Sequence, residues 1–292
     1  MTPLSNILCP VDFSQASYDA IEKASFLARL FQSDLTLLHV IPDLLLARSP
    51  GLSKNEDWHA QHKMDEAENE ARKLLRKAKR RYIPYVVKSR SSIRRGNVAE
   101  EILLDAERLN SDLIIMAAKG QEIGESLKVV MEKASCPVLA YHKHKLTNDI
   151  GEQMKGFRRI LLPLPAQWDF DRVGHLESYI ETYLSFMCPE LVMAKMIEPG
   201  TTHENRVQIR LQLEALGQRF VDMGLPKVRC HMLEGKYSTD LILRLSQKEA
   251  CDLIMMDAPS TPTRHSDLGG FTHQVAKDAA MPVFTMNQAL TN

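Results

Sequence analysis

Short runs of apolar residues alternate with longer amphipathic stretches along this chain, and the alternation occurs twice. In the first half the apolar runs end at Val11, Val40, Val87, Met116 and Tyr141. Between them, apolar positions three and four apart predict helices near 15–31, 56–81, 97–109 and 124–134. In the second half the runs fall near 159–164, 190–196, 227–233, 252–257 and 282–286, with helical patterns near 172–186, 204–223, 236–248 and 269–279. Continuous apolar runs this short, each followed by a helix, predict parallel strands covered on both faces.

The two halves also correspond in detail and in order. Ile7-Leu8-Cys9-Pro10 returns as Ile160-Leu161-Leu162-Pro163, Asp112-Leu113-Ile114-Ile115-Met116 as Asp252-Leu253-Ile254-Met255-Met256, and Pro137-Val138 as Pro282-Val283. Gly96 and Gly235 each stand between a strand-like run and a helix-like one. The expected architecture is therefore two doubly wound, Rossmann-like α/β units. Each is a parallel five-stranded sheet of order 3-2-1-4-5, and a pseudo-two-fold axis relates the two. The domains expected are 1–145 and 156–292, the second a degenerate copy, joined by a polar linker over Lys143–Lys155.

Composition narrows the function. Lys plus Arg is 37 and Asp plus Glu is 37, a formal charge of zero, whereas a protein that coats nucleic acid is usually basic overall. Neither nucleic acid nor a membrane is expected as a partner: no apolar stretch reaches the roughly 18 residues of a membrane span. Cys9, Cys136, Cys188, Cys230 and Cys251 are odd in number, scattered, and form no Cys-x-x-Cys, which argues against a disulfide framework and a cysteine-rich zinc site. With no leader pattern at Met1–Asn6, the expected compartment is the reducing cytoplasm.

An open parallel sheet takes ligands at the carboxyl ends of the strands flanking its switch point, here strands 1 and 4. Those ends are Pro10-Val11-Asp12 and Ala117 to Gly124 in the first half, and Pro163-Leu164-Pro165 and Asp257 to Gly270 in the second. At these residues the chain resembles the universal stress proteins, as a tandem of two family domains. The resemblance is carried by Ile7 to Ser14, Leu37-Leu38-His39-Val40, Gly96 to Ile102 and Cys136-Pro137-Val138-Leu139. It implies a role under starvation, oxidative or other stress and no particular reaction, so the chain is not expected to be an enzyme.

Many members of that family bind ATP. They share an Asp closing strand 1, a Val closing strand 2, and a signature of Gly, two residues, Gly, nine residues, then Gly and Ser or Thr. Glycines there let backbone N–H groups approach phosphates, and the next helix offers its N-terminus to the anion. Asp12 and Val40 fit, Ala117 replaces the first glycine, Gly120 fits the second, Gly124 stands at the third, and Glu125 replaces the Ser or Thr. Only Gln121, Glu122 and Ile123 separate the last two glycines, a shortening of up to about 20 Å of contour. A carboxylate at Glu125 is itself the favoured anion of a helix N-terminus. The resemblance thus implies impaired ATP binding. An ATP or AMP sensor using Asp12, Val40, Gly120 and Gly124 is the alternative.

In the second half Pro165 replaces the strand 1 Asp, Met196 falls near the Val, and Asp257 and Ser260 stand where the first two glycines belong. Gly269 and Gly270 keep the last pair, and the loop between carries Arg264 and His265. These four mark a second cleft, for an anionic small ligand or a lipid, although solvated loop residues are the plainer reading of Arg264 and His265.

Two further features bear on partners and metals. Glu56, Asp57, Asp65, Glu66, Glu68 and Glu70 precede Arg72, Lys73, Arg76, Lys77, Lys79, Arg80 and Arg81, the order that complements a helix dipole. A solvated helix explains this, while the basic end suits a polyanion or a partner's acidic face. His142 and His144 flank Lys143 too poorly for a metal site. The partner expected is an unidentified protein or small ligand, with the halves paired as an intramolecular pseudo-dimer through their fifth strands and further homodimerisation left open.

Overall fold

The structure, a computed structural model, describes residues 4–42, 54–118, 124–142, 156–164, 173–184, 189–236, 238–257 and 267–286. It divides into two compact units, residues 1–117 with 124–134, and residues 118–123 with 135–292.

The first unit runs β1 (Asn6–Pro10), α1 (Gln15–Phe31), β2 (Asp34–Pro42), α2 (Lys54–Tyr82), β3 (Ser89–Gly96), α3 (Val98–Arg108), β4 (Leu113–Ala117) and α4 (Glu125–Lys133). Its strands lie side by side as β3-β2-β1-β4, all parallel. The central strands are the most apolar, and Leu8, Cys9, Ile114 and Ile115 are fully buried. Helix α1 begins because the Ser14 hydroxyl accepts from the N–H of Ser17, and it ends where Gln32 turns left-handed at φ 58°. Its buried stripe, Ala20, Ile21, Ala24, Leu27, Ala28 and Phe31, has helical spacing. Met64, Ala71, Leu75 and Ala78 give α2 its buried face.

One strand differs from expectation. The apolar run ending at Val87 is a turn, with the Val87 N–H donating to Pro84 O, and β3 follows it at Ser89–Gly96. Among the described residues β3 pairs only with β2, so as an edge strand it needs no continuous apolar sequence. Its Ser-Arg-Ser-Ser-Ile-Arg-Arg-Gly lacks the signal that marks the central strands.

The second unit contains β5 (Val138–Tyr141), β6 (Arg159–Leu164), α5 (Val173–Tyr179) continued by a π turn at Ile180–Leu184, β7 (Glu190–Ile197), α6 (His203–Asp222), β8 (Lys227–Glu234), α7 (Thr239–Lys248), β9 (Leu253–Asp257), α8 (Asp267–Asp278) and β10 (Val283–Met286). Its order β8-β7-β6-β9-β10 is the expected 3-2-1-4-5, all parallel. β5 pairs antiparallel with β10, Val283 opposite Ala140, Phe284 opposite Leu139 and Thr285 opposite Val138. Behind β10, Tyr179 and Tyr183 stack at 5.5 Å and meet Phe284 edge-on at 6.1 and 5.4 Å.

The repeat read in the sequence is also a repeat of geometry. Gly96 and Gly235 share φ values of +144° and +147°, and Asn110 and Ala250 are both left-handed at 46° and 51°. The Asp112 carboxylate accepts from the N–H groups of Ser5 (2.7 Å) and Asn6 (2.8 Å), and that of Asp252 from Arg158 (2.9 Å) and Arg159 (3.0 Å).

Candidate functional site

The carboxyl ends of β1 and β2 bring two of the expected residues together. Pro10 pairs with Leu38, and the N–H of Val11 donates to Leu38 O at 2.7 Å, so the register continues and sets Asp12 level with Val40. Val40 is buried and Asp12 exposed. The turn after β1 is tightly specified. Asp12 Oδ1 accepts from Ser14 N (3.0 Å) and Ser14 Oγ (2.5 Å), and Ser14 in turn caps α1, so the carboxylate is held over the start of that helix.

Phe13 and His39, whose roles the sequence did not disclose, complete this turn. Phe13 is left-handed at φ 62°, a conformation that costs a bulky residue free energy. Its ring lies 4.5 Å from that of His39. His39 Nδ1 is 2.7 Å from Val11 O, and because a carbonyl only accepts, Nδ1 carries the proton. The available signal was His39 interrupting the apolar run Leu37-Leu38-His39-Val40-Ile41 within β2.

The side of the cleft between β4 and α4 is built differently. β4 ends at Ala117, α4 begins at Glu125, and Gly124 is its N-cap, with φ −58° and no side chain to accept a hydrogen bond. Among the described residues no atom lies within 4 Å of a Cβ added at Gly124, so contacts with them do not demand glycine there. Glu125 occupies the first turn, 81% exposed, with Lys128 Nζ at 3.3 Å from its carboxylate. That helix terminus already holds an anion and the anion's own counterion. Gly120 lies outside the described residues.

In the second unit Arg264 and His265 lie outside the described residues, and Gly269 and Gly270 fall inside α8, which begins at Asp267. The register Leu164 opposite Lys195 puts Lys195 where β2 has His39, and Met196 where it has Val40. Lys195 is only 2% exposed. A lone Lys within Leu191-Val192-Met193-Ala194-Lys195-Met196-Ile197 is a visible interruption in the sequence, but its position level with His39 is not.

Several other polar groups pair with one another away from the cleft. Arg159 and Glu190 pair at 2.8 Å, and Arg229 and Glu249 at 2.9 Å, in a network based at the starts of β6, β7 and β8, away from the carboxyl ends. Cys9, Cys136, Cys230 and Cys251 are thiols and form no disulfide. Burial pushes Cys9 and Cys251 up to about 12 and Cys230 to about 11, which leaves all three protonated and poor nucleophiles at neutral pH. No cluster of metal-ligating residues occurs among the described residues. His142 is instead buried with Nε2 at 2.9 Å from Ala276 O, and His144 lies outside those residues. No helix among the described residues is long and apolar enough to cross a membrane.

Residues 3–142 match the universal stress protein family. A universal stress protein of Synechocystis is 31% identical over 139 residues, covering 46% of this chain and 82% of the relative. One from Methanocaldococcus jannaschii is 27% identical over 145 residues, covering 48% and 82%. The crystal structure of a universal stress protein from Archaeoglobus fulgidus shares the fold over both halves: its TM-score is 0.68 at 17% identity, with 98% of this chain and 97% of that one covered. On the strength of its first half, the chain belongs to the universal stress protein family, and the fold of its second half is the same.

Proposed function

We propose that this protein serves the cytoplasmic stress response by binding and interaction, with no turnover and with a first cleft impaired for ATP. The observation that carries the reading is the start of α4. Glu125 stands in its first turn, paired with Lys128, and only residues 118–124 connect β4 to it. A triphosphate would meet a carboxylate worth about 1 kcal/mol of repulsion, and a connection too short to wrap it. Asp12 and Val40 still offer a place for a base and ribose, but without the phosphate cradle they supply a fraction of the contact. Titration calorimetry with ATP and with AMP tests this. No heat is expected at concentrations up to about 0.1 mM, where Kd would be near the micromolar range of functional nucleotide sites. Glu125→Ser is expected to leave ATP unbound, because the short connection remains limiting. Micromolar binding of ATP by the unaltered protein defeats the reading.

A second reading is favoured by Lys195. A buried lysine at the carboxyl ends of β6 and β7 suits an anionic group on a small ligand or lipid in the second cleft. Mass spectrometry of molecules released from freshly purified protein tests it. An anionic ligand that disappears with Lys195→Met supports it, and a ligand retained by that variant counts against it.

A further inference from the structure

Residues 72–95 carry seven arginines and four lysines and no aspartate or glutamate, in a chain whose total charge is zero. The fold gathers that stretch on one part of the first unit: the second half of α2, the turn after it, and β3. Lys79 joins the two elements, its Nζ donating to Ser89 O at 2.8 Å.

Ion pairing divides these cations into two groups. Asp34 takes Lys88 and Arg90, Glu68 takes Arg72 and Arg95, Asp105 takes Arg94, and Glu70 takes Lys73. Among the described residues, no carboxylate lies at ion-pair distance from Arg76, Lys77, Arg80 or Arg81. Arg76 with Arg80, and Lys77 with Arg81, are four apart on α2, where like charges oppose the helix. The helix dipole favours cations only in the last turn, so Arg76 and Lys77 gain little from it. Immediately after the helix, Tyr85 is fully exposed and Val86 is 66% exposed.

We propose that this surface docks an acidic, extended segment of a protein partner. Carboxylates of the segment meet the four unpaired cations, three of them arginines whose planar fork suits a carboxylate. An apolar side chain between those carboxylates covers Tyr85 and Val86, and the outer edge of β3 offers the segment a backbone ladder. A nucleic acid would use the cations and the tyrosine ring but neither Val86 nor the strand edge. Charge on an edge strand also deters self-pairing, yet the β3 cations are the ones already neutralised, and the unpaired four lie on the helix. The surface is at the amino end of β3, across the sheet from the carboxyl-end cleft, so it deepens the interaction role proposed above without depending on nucleotide.

The test uses the full chain at physiological ionic strength without nucleotide, and a short labelled peptide of Glu and Asp around a single Phe. Fluorescence anisotropy is expected to show binding. Arg76→Glu with Arg80→Glu should weaken it by about tenfold or more, and Tyr85→Ala by about threefold. Arg210→Glu with Lys248→Glu changes net charge equally on α6 and α7 of the second unit and should leave it unchanged. If charge reversal disturbs α2 by circular dichroism, Arg76→Gln with Arg80→Gln replaces it. Affinity indifferent to Arg76 and Arg80, an equal loss in the second-unit variant, or tighter binding of a labelled oligothymidylate of the same charge each overturns the proposal. Because no nucleotide enters the assay, its failure leaves the reading of the first cleft standing, and micromolar ATP binding leaves this surface standing.

Discussion

Gly96 and Gly235 hold φ values of +144° and +147° at equivalent turns, a region that L side chains rarely enter. An alanine at either site incurs the same backbone strain, but the surroundings differ. A Cβ at Gly96 would stand 2.9 Å from Glu101 Oε1, whereas the nearest atom at Gly235 is Leu241 Cδ2 at 4.0 Å. Gly96→Ala and Gly235→Ala should each lose about 1–3 kcal/mol, with Gly96→Ala the worse by the cost of moving Glu101. Urea denaturation of both variants checks this, and a Gly96 variant as stable as the parent defeats it. Asp34 gives a pH-dependent counterpart. The hydrogen bond from Lys88, aided by Arg90, holds its carboxyl below the ordinary aspartate value of about 3.9. A depressed folded-state pKa contributes stability that is present above the unfolded value and lost as pH falls through the folded one. Asp34→Asn should therefore lower stability at neutral pH and flatten its decline below about pH 4, read as urea midpoint against pH. An acid limb identical to the parent's would mean that Asp34 is not among the groups that set it.

Each unit ties a central strand at its amino end with an aspartate from the far side of the sequence. Asp112, just before β4, takes the N–H groups of Ser5 and Asn6, and Asp252, just before β9, those of Arg158 and Arg159. Removing such an acceptor gives up two hydrogen bonds to a charged group at a strand start, at about 1–3 kcal/mol. Asp112→Ala should therefore destabilise the protein by that amount and speed hydrogen exchange at Ser5 and Asn6, while Asp112→Asn, which keeps an acceptor oxygen, costs less. Unchanged exchange at those two amides would show that the strand start is held otherwise. The sequence displayed both aspartates through the repeated Asp-Leu-Ile, but not this role, because the partners are more than ninety residues away. The same limit governs the rest. Central strands were legible since burial on both faces demands unbroken apolar runs, and these placed Asp12 and Val40 near the ends of β1 and β2, whereas a part for the two in a site came from the family resemblance alone. β3 was misplaced because an edge strand carries no such run. Phe13, His39 and Lys195 stayed hidden because their significance lies in a left-handed turn and in neighbouring strands.

At the scale of the molecule, the position of β5 decides how the chain tolerates division. The polar stretch 143–155 reads as the natural place to cut, yet Val138 to Tyr141 belongs to the second unit. Its pairing with β10 buries Val138, Leu139 and Ala140, Thr285 Oγ1 donates to Val138 O at 3.2 Å, and His142 Nε2 meets Ala276 O at 2.9 Å. A fragment 156–292 loses all of this. β10 then becomes an open edge carrying Val283, Phe284 and Met286, the kind of edge that recruits another chain. A fragment 135–292 keeps β5 as the cover and should remain soluble where 156–292 self-associates. Adding a peptide spanning 134–142 to the shorter fragment should restore part of that solubility, since the strand supplies contacts and the linker contributes only effective concentration. Sedimentation velocity of the two fragments, with and without the peptide, reads the difference. If 156–292 sediments as a well-behaved monomer, β5 is dispensable to the second unit and residues 143–155 are a true boundary.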